Sequence, residues 1–130
     1  MGFIYCNPNP KEKLTGDCVI RAICIAENKS WDEIFLGLMM KCFEIKDMPS
    51  DNDAWSEYLQ ELGYKKHIIP DTCPSCYKIS DFAKDNPEGV FIVATGTHVI
   101  AVRQGNYYDT WDSGSKTAIW YWCKEEVAYE

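Results

Sequence analysis

The rhythm of hydrophobic and polar positions changes once along the chain: residues 17 to 63 repeat at a helical period, and residues 90 to 123 alternate as strands do. CVIRAICIA is apolar at nearly every position, so a helix from Asp17 or Cys18 to about Asn28 should be buried on almost every side. Ser30 opens SWDE with Glu33 three residues on, which is the spacing of a capping box and predicts an amphipathic helix to about Cys42. A third helix, near residues 52 to 62, gathers Trp55, Leu59 and Leu62 on one face and stops at Gly63. KISDFAKDNPEG, capped at Ser80 and closed by Pro87 and Gly89, predicts a short fourth.

Beyond Gly89 the segments VFIVAT, HVIAV, NYYDTW and AIWYW are short β-branched and aromatic runs, separated by Gly-Thr, Gln-Gly-Asn and Asp-Ser-Gly-Ser turn signals. They predict an antiparallel sheet packed on the preceding helices, an α+β domain spanning residues 1–130 with its helical part near 17–63 and its sheet part near 90–123. No repeat or long Gly/Ser/Pro linker divides it.

Composition narrows the function classes. A chain of 130 residues that is 46% hydrophobic can bury a core without disulfides or metal. No apolar run approaches the roughly 18 residues of a membrane span, and MGFIYCNPNPKEK lacks the basic start and apolar stretch of a secretory signal. A soluble, cytoplasmic protein is expected. The net charge of −7 weighs against nucleic acid and anionic membranes as partners, because both reward a basic face. The aromatic runs read as sheet packing, since a stacking platform for nucleic acid needs adjacent Lys and Arg. The chain carries no signal of oligomeric state.

The seven cysteines are an odd number at irregular spacings, which suits reduced thiols. CPSC places Cys73 and Cys76 at the separation of a zinc or redox pair, but Cys6, Cys42, Cys123 and His67 stand at no recognisable spacing from it. No metal and no cofactor are expected.

Cys18 differs from the other thiols by its position. At a helix start, unpaired N–H groups and the positive end of the helix dipole favour a thiolate, and the same N–H groups can receive an oxyanion. A nucleophile there needs a base, and the chain has two histidines. His67, in KKHIIP, lies in an expected connector beside two lysines. His98 opens the strand HVIAV after Gly96-Thr97, so its ring can stand at the sheet end.

If Gln104-Gly105 is a two-residue turn, Arg103 pairs with Asn106, Ile100 with Asp109, and His98 faces Trp111. Asp109 then shares the His98 face one diagonal step away, as an acid that orients the imidazole should. Asp112 is the alternative acid, and shares that face only if a bulge slips the register by one residue. Asp17 reads as an N-cap or as the i,i+4 partner of a structural Arg21.

Gly-Asp-Cys opening a buried helix, Gly-Thr-His opening a strand, and an acid in YYDTWD on the next strand resemble the papain-like cysteine peptidase superfamily in its minimal form. The order Cys, His, Asp is similar to that of the bacteriocin-leader peptidase domains of bacterial exporters. GDCVIRA with HVIAV-x3-NYYDTWDSG also resembles small papain-like proteins of bacteria and their phages, over nearly the whole chain.

The resemblance implies a papain-like α+β fold with the Cys helix packed on a C-terminal antiparallel sheet. It implies a thiol hydrolase, a peptidase or isopeptidase acting on a peptide or protein, with Cys18 as nucleophile, His98 as base and Asp109 as orienter. The same fold also serves as a catalytically weak or inactive protein-binding module, or as a Cys-dependent amidase or acyltransferase. The family usually places a Gln ahead of the Cys to donate to the oxyanion. No Gln precedes Cys18, and Asn7 and Asn9 in CNPNP carry the same amide on a shorter arm.

Overall fold

Helix α1 (Cys18–Glu27) forms where the chain is most continuously apolar, and it buries Ile20, Ala22, Ile23 and Cys24 together with one charged residue, Arg21. It ends at Asn28, whose left-handed φ of 55° lets its N–H reach the Cys24 carbonyl. The structure is a computed structural model that describes residues 2–70 and 74–124.

Helix α2 (Trp31–Ile45) starts at Ser30, whose hydroxyl accepts from the Glu33 N–H at 3.2 Å, and it runs one turn past the predicted Cys42. Helix α3 (Asn52–Glu61) buries Ala54, Trp55, Tyr58 and Leu59, and a chain reversal follows at Gly63, where φ is +99°. Helix α4 (Ile79–Asp85) begins one residue ahead of Ser80, with the Asp81 carboxylate accepting from the Lys78 N–H at 3.0 Å.

Six strands complete the described residues: β1 (Gly2–Tyr5), β2 (Lys65–Ile68), β3 (Val90–Ala94), β4 (Val99–Arg103), β5 (Asn106–Asp109) and β6 (Trp120–Cys123). They form one sheet in the order β1-β5-β4-β3-β6-β2. The class is α+β as expected, but the sheet is mixed rather than antiparallel, because β1 runs parallel to β5. Gly2 N–H donates to the Asn106 side chain at 3.0 Å and Cys6 N–H to the Asp109 carbonyl at 2.9 Å, so the start of the chain is laced along β5. The second unexpected strand, β2, is the opposite edge; His67 therefore lies in a strand and not in a connector.

Strand alternation divides the core between two faces. Ile92, Ala94, Val99, Ala101 and Trp122 pack against α1, α2 and α3, while Val93, Ile100, Val102 and Tyr107 pack against α4. The first core contains Trp55, fully buried beside Trp120 and Trp122 at centroid distances of 6.4 and 6.2 Å. Truncating so large a side chain typically costs about 3–5 kcal/mol.

The β4–β5 hairpin turns on Gln104 and Gly105, with φ of 51° and 81°, the positive pair of a type I′ turn. Arg103 faces Asn106, Val102 faces Tyr107 and Ala101 faces Tyr108, which is the register read from the sequence.

Candidate active site

The helix that carries Cys18 begins without a side-chain cap. Asp17 occupies the N-cap position and its carbonyl accepts from Arg21 N–H at 2.9 Å, but its carboxylate makes no capping hydrogen bond. That carboxylate turns instead to the Trp31 indole (2.9 Å), the Asn9 amide (3.4 Å) and the Arg21 guanidinium. The first-turn N–H groups thus keep their capacity to donate and the helix keeps its positive end, beside a thiol in the first helical position.

A tight turn delivers His98. Thr95 Oγ1 accepts from the N–H groups of Thr97 (3.2 Å) and His98 (2.9 Å), and Thr95 N–H donates to the His98 carbonyl at 2.8 Å. The imidazole Nε2 meets Asp109 Oδ2 at 2.6 Å, which leaves Nδ1 as the ring nitrogen for Cys18. Trp111 lies against the ring at a centroid distance of 5.1 Å.

Asp109, at the end of β5, is buried and fully engaged. Oδ2 also accepts from Ser113 Oγ at 2.7 Å; Oδ1 accepts from Thr110 N–H at 2.8 Å and from Arg21 Nη2 at 3.3 Å.

The electrostatics follow from these contacts. Burial pushes the Cys18 thiol up, but the His98 hydrogen bond, the Val99 backbone N–H and the charges of His98 and Arg21 outweigh it, so the thiol falls below its ordinary value. Burial opposes charge on His98 as well. The Asp109 and Cys18 hydrogen bonds and charges overcome it, and the imidazole rises to about 9. Burial works against the Asp109 carboxylate, and the His98 and Ser113 bonds and the His98 charge hold it below the usual carboxylate range. The contacts among the three groups thus favour the thiolate, the imidazolium and the carboxylate together. The buried Cys24 behaves oppositely: desolvation and the Asp17 charge push it up to about 12.

Cys18 and His98 stand on the wall of a cleft of about 570 Å³ between α1, α2, α3 and the 95–99 turn. Trp31, Phe35, Leu38, Met39 and Trp55 make it largely apolar, with Trp31 and Phe35 stacked at 4.8 Å.

The remaining sequence candidates lie elsewhere. Asn7 and Asn9 do not line the cleft: the Asn7 amide donates to the Lys13 carbonyl at 3.1 Å, and Asn9 gives its amide to Asp17 and its oxygen to Lys11 N–H at 2.9 Å. Each carbonyl oxygen accepts from the N–H two residues on, the geometry of an Asx turn, so these amides build a loop rather than reach an oxyanion. Asp112 is exposed and accepts from the Tyr107 hydroxyl (2.7 Å) and Gly114 N–H (3.0 Å), away from His98. His67 stacks on Tyr121 at 4.9 Å, with β3 and β6 between its strand and that of His98.

Cys73 lies outside the described residues. Among the described residues no disulfide joins the cysteines, no cluster of His, Cys, Asp and Glu has the makings of a metal site, and no helix is long and apolar enough to cross a membrane. Arg21, expected to pair only with Asp17, also touches the buried Asp109 carboxylate. Comparison of the chain with protein-family models, with curated proteins and with solved structures gives no match.

Proposed function

We propose that this protein is a thiol hydrolase of papain-like arrangement, a peptidase or isopeptidase whose nucleophile is Cys18, whose acid and base is His98 and whose orienting residue is Asp109. The observation that carries the reading is the helix-start thiol, depressed beside an imidazole that Asp109 holds at 2.6 Å. Neither a structural thiol nor a surface histidine needs that arrangement.

In the first half-reaction the Cys18 thiolate attacks a substrate carbonyl carbon, and the carbonyl electrons move to oxygen. The backbone N–H of Cys18 and its first-turn neighbours supply the donors for that oxyanion. Collapse of the adduct expels the amine, which takes a proton from the His98 imidazolium, and a thioester remains. In the second, neutral His98 takes a proton from water as the hydroxide attacks the thioester carbonyl. The thiolate leaves, the carboxylic acid product departs and gives its proton to solvent, and the thiolate and imidazolium are restored. The apolar cleft beside Cys18 suits a bulky apolar side chain on a peptide or protein substrate.

The placement of Asn7 and Asn9 away from the cleft favours a second reading, a weakly active papain-like module that binds a partner protein. Both readings are tested by alkylating the native chain near about pH 6 and mapping the adducts by mass spectrometry. Cys18 should label ahead of every other cysteine, and equal labelling of several cysteines would overturn the hydrolase. Acyl esters with aromatic acyl groups then separate the two readings: the hydrolase forms and repeatedly turns over a thioester on Cys18, whereas the binding module forms none or fails to turn it over.

A further inference from the structure

We propose that Arg21 is a positioning residue that sets the Asp109 carboxylate for His98, an inference that rests on the thiol-hydrolase reading. The guanidinium is buried, with its side chain 7% exposed, on a helix that is otherwise apolar at the core. Its i,i+4 partner Asp17 already neutralises it, yet Nη2 reaches across to the sheet and donates to Asp109 Oδ1 at 3.3 Å. With Arg21 and Thr110 N–H on Oδ1, the carboxylate plane is fixed so that Oδ2 faces His98 and Ser113.

The fork itself is anchored. Nη1 pairs with Asp17 Oδ1 and donates to the Thr15 carbonyl at 3.4 Å, while Asp17 Oδ2 is held by the Trp31 indole at 2.9 Å and the Asn9 amide at 3.4 Å. A planar guanidinium with both ends bound has one orientation; an ammonium has none to impose. Asp17, Cys18 and Arg21 share one helical turn. The helix that presents the thiol therefore also aims the acid, and the positive charge of Arg21 favours the thiolate.

The test is the rate of Cys18 alkylation by iodoacetamide from about pH 5 to about pH 10 in the full-length chain, with thermal melts of each variant to confirm folding. Arg21→Lys keeps the charge and loses the fork. Its profile should rise at a higher pH than the wild type, with labelling near about pH 6 slowed about threefold, and Arg21→Gln should be slowed further. A folded Arg21→Lys variant whose profile superimposes on a depressed wild-type profile overturns the positioning role and leaves the hydrolase standing. A wild-type Cys18 that titrates as an ordinary thiol overturns both.

If neither variant folds, nitrogen-detected NMR of the wild type decides. Separate Nη1 and Nη2 signals for Arg21, with a proton contact to the Thr110 amide, support the clamp; one averaged guanidinium signal overturns it.

Discussion

Replacing His98 with Ala isolates the imidazole's effect on the nucleophile. Burial is the largest single influence on Cys18 and raises its thiol; the His98 hydrogen bond is the largest that lowers it, followed by the Val99 N–H and the His98 and Arg21 charges. Without the ring, burial is opposed only by Val99 N–H and Arg21, and the thiol moves up toward its ordinary 9.0. A thiol at 9.0 is thiolate in about one molecule per thousand at pH 6. Each unit of depression raises the thiolate fraction about tenfold and lowers its intrinsic nucleophilicity about threefold, a net gain of about threefold per unit below the pKa. Alkylation of Cys18 in His98→Ala should accordingly slow near pH 6, by about threefold for each unit the thiol rises, yet match or exceed wild type near pH 10, where both thiols are ionised and the more basic thiolate is the better nucleophile. Stopped assays with iodoacetamide, quantified on the Cys18 peptide, read both rates. Equal slowing at both pH values would mean lost access or lost structure, and no slowing would mean that the imidazole does not act on the thiol; either result refutes the reasoning.

Three further outcomes are expected. His98 is raised from 6.5 to about 9, so its contribution to stability is complete below 6.5 and is lost as pH rises through about 9. Cys18 is depressed from 9.0, so its contribution is present above 9.0 and lost as pH falls through its lowered value. Where the two windows overlap, the slopes oppose each other. Cys18→Ser removes the opposing slope together with the Cys18 share of the rise in His98, so urea unfolding should show stability falling above about pH 6.5 and levelling off below about pH 9, by up to about 1 kcal/mol per unit, more steeply than in the wild type; a flat variant would sink the pairing.

Asp109→Ala, which strips a partner from both Arg21 and His98, should cost about 3 kcal/mol and slow labelling, whereas Asp112→Ala should cost much less, through Tyr107 and Gly114, and leave labelling unchanged. The reverse ranking by the same two assays would refute the assignment of the acid. Changing Cys73 and Cys76 together to Ser should leave stability within about 1 kcal/mol, and a chelator should leave the wild-type melting temperature unmoved; stoichiometric zinc lost on the change would contradict this.

The register that joins His98 to Asp109 is legible because a two-residue turn with a glycine admits few geometries, and every pair up the hairpin follows from it. Strand β1 is not legible. Its partner lies 104 residues away, and no local pattern in four residues announces a parallel neighbour at that distance. Strand β2 hides because an edge strand with exposed Lys65, Lys66 and Ile68 has no buried face to alternate with.

Arg21 carried a usable signal: a charge within the apolar run CVIRAICIA must meet a buried counter-ion. Asp17 satisfies that demand locally, which conceals the second partner across the sheet. Asn7 and Asn9 precede prolines in a sequence suited to Asx turns, and that local chemistry outweighs the analogy with an amide donor.

The lacing of β1 along β5 bears on when Cys18, His98 and Asp109 come together during synthesis. Gly2 and Asn106 are joined by a hydrogen bond that spans 104 residues, and Cys6 closes onto the very backbone of Asp109. At a translation rate of about 5–20 residues per second, the first strand waits on the order of 5 to 20 s for its neighbour to be made. The Cys18 helix is made early in that interval, before His98 and Asp109. On the hydrolase reading proposed above, the thiol of a nascent chain lacks its partners until the β4–β5 hairpin has been made and has met the first strand.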